Sequence, residues 1–123
     1  MTQNELETFS NEELVEKFAE MSVAQDRAML YEKQATVNEL YWEMKAVDDE
    51  LRKRGREARL ALLRLYEHPV RNVRLNVAKC TLAVAPVAAR RVIEEIARSG
   101  VMPEAADARG CLRNLDNGVF KPT

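Results

Sequence analysis

The chain has 123 residues, 46% of them apolar and 32% charged, which is the balance of one globular domain large enough to bury a core without disulfides or metal staples. No apolar run approaches the ~18 residues of a membrane span, and the acidic, polar start MTQNELETFSNEELVEK has no signal- or transit-peptide character. The net charge of −1 hides a split: residues 1–53 hold 13 acids and 6 bases, residues 54–123 hold 7 acids and 13 bases.

The patterning is helical from end to end, with no sustained period of two. Residues 1–9 are expected to form a frayed N-terminus to a single helical domain over 1–123. Ser10 with Glu13 three residues on makes a capping box, and Phe9 and Leu14 stand at staple spacing. A first helix is expected over about 11–21, with Leu14, Phe18 and Met21 as its stripe. A second is expected over about 23–32, with a break or a join near 32–34. The third, about 35–54, places Val37, Leu40, Tyr41, Met44, Val47 and Leu51 on one apolar face, and Gly55 ends it.

The fourth helix, about 56–67, is apolar nearly all round and should be central. Pro69 stops it. The fifth, about 70–84, has two apolar stripes and should lie between neighbours. Pro86 suits the first turn of the sixth, which buries Ala89, Val92, Ile93, Ile96 and Ala97 and leaves Arg90, Arg91, Glu94, Glu95 and Arg98 in solvent. Ser99-Gly100 ends it. Pro103 opens the seventh, where Gly110 suggests a close helix contact, and Gly118 caps it so that Val119 and Phe120 can fold back.

Overlaying the chain on itself at an offset of 31 pairs Ala58 with Ala89, Leu62 with Ile93 and Leu65 with Ile96. It then pairs Val77 with Ala108, Cys80 with Cys111 and Val84 with Leu115. Core positions coincide across two helices, as in stacked helix-hairpin repeats. Leu62-Leu63, Leu65, Pro69, Val73-Arg74 and Val77-Ala78 resemble a HEAT-type repeat, with Val77 where the first Ala of the pattern stands. The segments AVDDELRKRG, LYEHPVRNVRLNVAKCTLAVAP and CLRNLDNGVFKPT resemble a family of short bacterial HEAT-like proteins known only as a domain of unknown function, over roughly residues 10–123. That resemblance implies an all-α superhelix of stacked antiparallel helix pairs. It implies no activity and no catalytic residues.

Chemistry is sparse. His68 has no companion at metal-ligand spacing and reads as a turn or surface residue. Asp48, Asp49 and Glu50 splay round a helix and read as a solvated face, with pairing of Asp48 or Asp49 to arginines of the basic half as the alternative. Glu39 and Glu43 lack the partners that acid–base work needs. Cys80 and Cys111 read as reduced, buried thiols of a cytoplasmic protein. Arg74 is expected to bond carbonyls or a carboxylate of a neighbouring repeat. No catalytic, cofactor or metal site is expected, and the chain is not read as an enzyme.

Trp42 is the residue left over. By the 100° rule it points about 165° away from the apolar stripe of its helix, beside Ala35, Asn38, Lys45, Ala46 and Asp49. Either the N-terminal helices cover it, or it is an exposed aromatic anchor with the polar rim of a binding hot spot. The expected function is a small protein-interaction module using Trp42, Asn38, Lys45 and Asp49, with a protein partner or self-association, while Val73, Arg74, Val77, Cys80 and Cys111 serve the repeat. An immunity-type toxin inhibitor is one alternative. Nucleic-acid binding through Arg54, Arg56, Arg59, Arg71, Arg74, Arg90, Arg91, Arg109 and Arg113 is the other, disfavoured by a pI near 5.9 and the lack of free aromatic platforms.

Overall fold

The structure, a computed structural model, describes residues 2–123. Among these the chain is all-helical, with no strand, in the order α1 (Gln3–Glu7), α2 (Asn11–Leu30), α3 (Gln34–Arg54), α4 (Arg56–Leu60), a 3-10 run (Ala61–Glu67), α5 (Arg71–Thr81), α6 (Pro86–Ser99) and α7 (Glu104–Asp116). The chain divides into two compact units, the first ending at Leu62 and the second spanning Leu63–Thr123.

In the first unit, α2 and α3 form an antiparallel hairpin. Ser22 Oγ donates to Met44 Sδ at 3.1 Å and Gln25 Nε2 to the Val37 carbonyl at 3.4 Å. The Ser10–Glu13 capping box forms as the sequence predicts, with both reciprocal bonds present at 3.0 and 3.1 Å. The two segments expected over 11–21 and 23–32 are one continuous helix. It ends at Leu30 in a Schellman geometry: Glu32 N–H donates to Met29 O at 3.1 Å, Lys33 N–H to Ala28 O at 2.8 Å, and Glu32 adopts φ 57°.

The N-terminus departs from expectation. Residues 3–7, placed in a frayed end, are helical, capped by the Thr2 side chain, with Leu6 fully buried. The reason lies on α3: Arg54 Nη2 donates to the Leu6 carbonyl at 3.0 Å, Gln3 Nε2 to Glu50 Oε1 at 2.7 Å, and Lys53 pairs with Glu7 at 3.1 Å. Gly55, at φ 114°, ends α3 in a conformation that side chains with a Cβ avoid.

The second unit is built on α5, α6 and α7, around Leu75, Ala78, Leu82, Ala89, Ile93, Ile96, Ala108 and Cys111. Pro86 occupies the first turn of α6, and Gly100 ends it in the left-handed region, both as predicted. Both stripes of α5 are buried at Val73, Leu75, Val77 and Ala78, while Cys80 and Val84 are half-buried. Past α7, Gly118 N–H donates to Leu115 O at 3.3 Å and Phe120 N–H to Asn114 O at 2.9 Å. Phe120 therefore packs on the core, but Val119, expected to fold back with it, is exposed.

Gly110 is not a close-contact site: a Cβ built there meets only the Arg113 guanidinium, at 3.8 Å. The fourth helix is less central than its composition suggests. Ala58, Leu62 and Leu65 are buried, but Leu60, Ala61, Leu63 and Tyr66 are half-buried, and the helix tightens to 3-10 geometry after Leu60. Four of the six pairs in the 31-residue echo, Ala58 and Ala89, Leu62 and Ile93, Leu65 and Ile96, and Val77 and Ala108, are buried in both members; Cys80 is half-buried against a buried Cys111, and Val84 and Leu115 are both half-buried.

Candidate functional site

The outer half of α3 is where the sequence points, and its geometry follows from helical period alone. Met44, Val47, Asp48 and Leu51 face inward and are buried. Trp42, on the opposite face, is 63% exposed. The N-terminal helices therefore do not cover it. Its predicted face-mates Asn38, Lys45 and Asp49 are exposed with it. Asn38 accepts from Gln34 Nε2 at 3.0 Å and Lys45 pairs with Asp49 at 3.4 Å, so the rim is polar and hydrogen-bonded along the helix.

Sequence reasoning misplaced Tyr41. It belongs to the stripe by angle, yet it is 51% exposed and stands edge-to-face on Trp42 with ring centroids 5.1 Å apart. Val37 and Leu40, also assigned to the stripe, are half-buried. From Met29 to Glu43 not one residue is buried, and Leu30 and Tyr31 at the end of α2 are 77% and 65% exposed. A usable signal stood in the sequence: Ser22, Gln25 and Ala28, the inward positions of α2 opposite this stretch, are small or polar. They leave the α3 apolar residues little to pack against.

The acidic cluster is the main correction. Asp48 and Glu50 are buried rather than solvated, and only Asp49 stays outside. The donor to Asp48 is Arg52, one turn on in α3 and outside the basic half that the alternative reading named. Asp48 accepts from Arg52 Nε at 3.0 Å and lies in the field of Arg59. Glu50 accepts from Arg54 Nε at 2.8 Å and from Gln3, and the Arg54 bond holds its carboxyl below the ordinary range. These carboxylates are structural counter-ions.

Arg74 does bond carbonyls, but those of its own turn: Nη1 donates to His68 O at 2.7 Å and to Pro69 O at 3.2 Å. It closes the loop before α5 instead of reaching a neighbouring repeat. His68 Nδ1 accepts from Val70 N–H at 3.0 Å, the turn role predicted for it. Of the structural repeat residues, Val73, Val77 and Cys111 are buried, and Cys80 is half-buried. Burial pushes the Cys111 thiol up.

Of the nine arginines of the basic half considered for nucleic acid, Arg54 and Arg74 are committed to internal bonds and Arg59 is buried. Arg90 is held by Asp116 at 2.9 Å and by Glu94. Among the described residues, no group of three or more His, Cys, Asp or Glu side chains is placed to hold a metal ion. Nor is any helix there long and apolar enough to cross a membrane.

This helical frame, with α2 to α7 in one stretch, is matched over residues 12–116 by the family model described as a domain of unknown function, DUF2019. The chain belongs to the DUF2019 family. It is also similar to the protein RPA1889 from Rhodopseudomonas palustris CGA009, known from a crystal structure. The two share 45% identity at a TM-score of 0.93, over 96% of this chain and 98% of that one. No curated protein matches the chain. DUF2019 membership brings a shared helical fold and no described activity, so function has to be argued from the surface this member presents.

Proposed function

We propose that this DUF2019 protein is a small, non-enzymatic interaction module of the cytoplasm, a HEAT-like array of stacked helix pairs that contacts a protein partner through the outer half of α3. The observation that carries the reading is Trp42, 63% exposed on the face opposite the core. Tryptophan is among the costliest residues to leave in water and among the commonest at binding hot spots. Here Tyr41 supports its ring, and Asn38, Lys45 and Asp49 supply the polar rim that typically surrounds such an anchor.

The nucleic-acid alternative is weakened by the engagement of Arg54, Arg59, Arg74 and Arg90 within the fold, which subtracts from the concentrated positive surface that phosphate binding requires.

The test combines capture from a bacterial lysate on immobilised wild-type chain and on Trp42→Ala with the fluorescence of Trp42. A bound protein lost with the substitution, together with red-shifted and readily quenched emission from the unbound chain, is the expected outcome. Capture indifferent to Trp42→Ala, or a blue-shifted and shielded Trp42 in the free monomer, overturns the reading.

A further inference from the structure

Trp42 stands in solvent with little that is apolar beside it. At 100° per residue, the positions within about 60° of it on α3 are Ala35, Asn38, Glu39, Lys45, Ala46 and Asp49. Four of these, Asn38, Glu39, Lys45 and Asp49, are polar and exposed. An aliphatic side chain laid on the indole would strip water from those groups without pairing them, a cost that offsets the contact. The ring suits a partner group that is flat and itself charged.

The charges on either side of Trp42 give the sign of that group. Lys45 is paired with Asp49 at 3.4 Å on one side. On the other side lie Glu39 and Glu43, one turn apart, both exposed and neither in an ion pair among the described residues. The wider field has the same sign. From Asn11 to Arg54, α2 and α3 with their connection hold 11 acids and 7 bases. Three of those bases, Arg52, Lys53 and Arg54, are tied to Asp48, Glu7 and Glu50. They begin about 15 Å from Trp42 along the helix axis, beyond a Debye length of about 8 Å.

We infer that the Trp42 face of α3 takes an arginine from a basic segment of a partner protein: the guanidinium stacks on the indole and donates to Glu39 and Glu43. Arginine fits better than lysine. Its planar fork stacks on an aromatic face, sheds water more readily than an ammonium, and bonds a carboxylate in bidentate fashion. The acidic field over α2 and α3 steers such a segment to the site. This rests on the reading of Trp42 as a protein-contact residue and adds the partner's chemistry.

Selection of a displayed library of random 12-residue peptides on the immobilised full chain tests it. Binders are then counter-screened on Trp42→Ala and on the double variant Glu39→Gln with Glu43→Gln. Arginine should be enriched among the binders. For the strongest peptide, made synthetically and read by Trp42 fluorescence, replacing its arginine by lysine should weaken binding roughly 10-fold. The double variant should weaken it by a similar factor and flatten its salt dependence, and Trp42→Ala should cost roughly 30-fold or more in a parallel calorimetric titration, each at unchanged helix content.

The inference is overturned if no peptide is enriched, if the binders lack arginine, or if lysine serves equally well. Binders that need Trp42 but carry no arginine remove the guanidinium and leave the protein-contact reading standing. Binders indifferent to Trp42→Ala remove both.

Discussion

Asp48, only 4% exposed, accepts one hydrogen bond from Arg52 Nε at 3.0 Å through Oδ2, while its Oδ1 has no donor among the described residues. Burial raises its pKa above the ordinary 3.8; Arg52 and Arg59 pull it back, and Asp49 adds to the rise. A carboxyl raised on folding binds more protons in the folded than in the unfolded chain. Its contribution to stability is therefore complete below 3.8 and is lost as pH rises through the folded value. Asp48→Asn does not titrate. In urea unfolding at a series of pH values, the variant should gain on the wild type from the acid side of 3.8 towards neutrality. A difference that is flat, or that moves the other way, would show that Asp48 is not held in its raised state.

Arg54 joins three places in the first unit: Glu50 at 2.8 Å, Asn11 Oδ1 at 3.0 Å and the Leu6 carbonyl at 3.0 Å. Arg54→Met keeps much of the stem and removes all three bonds, leaving Glu50 buried with Gln3 as its remaining hydrogen-bond donor. Truncating one partner of a buried charged pair costs about 3–5 kcal/mol, and the guanidinium here is partly exposed, so a loss of about 2–3 kcal/mol is expected. Because α1 hangs on these contacts, amide exchange in Gln3–Glu7 should accelerate more than in α2. Equal protection of α1 in variant and wild type would count against this account of why the N-terminus is ordered.

Local signals carried far in this chain, and tertiary ones did not. The capping box at Ser10, Pro86 at the start of α6 and the glycine at position 100 act within a turn of their own backbone, so the sequence alone places them. Of the two readings of 32–34, a break or a join, the break is what forms, and its left-handed residue, Glu32, is not the glycine that would have decided it in advance. The helix α1 and the burial of Asp48 and Glu50 were illegible for a different reason. The i,i+4 pairs Asp48–Arg52 and Glu50–Arg54 stand in the sequence, but what packs over them does not: Arg54 reaches the Leu6 carbonyl and Gln3 reaches Glu50, and neither Leu6 nor Gln3 carries a mark of those bonds. For the candidate site, the direction of Trp42 was readable from the 100° rule. Its exposure was not, since that depends on how little α2 offers opposite it.

Cys80 and Cys111 occupy equivalent places in the 31-residue echo but differ in burial, half-covered at Cys80 and closed over at Cys111. Burial holds the Cys111 thiol above its ordinary value and keeps reagents from it, and the thiolate is the reactive form. Titration with a thiol reagent near neutral pH should show a slow phase that merges with the fast one in denaturant. Cys111→Ala should remove the slow phase and leave the fast phase intact. A variant that loses the fast phase would reverse the assignment.

Gly110 sits inside α7 without a steric reason to be glycine. Its backbone is not in the left-handed region, and the nearest atom to an added Cβ is the flexible end of Arg113, at 3.8 Å. A glycine in a helix interior costs roughly 0.8–1.0 kcal/mol relative to alanine, largely through the extra freedom it has when unfolded. The Ala108 and Cys111 positions that do pack inward flank it and are untouched by the change. Gly110→Ala should therefore stabilise the protein by about 0.5–1 kcal/mol and raise the unfolding midpoint by a few degrees at unchanged helix content. If the face of α7 at Gly110 instead approaches another helix or a second chain closely in solution, the same substitution will destabilise the protein. The sign of the shift in urea midpoint decides between the two.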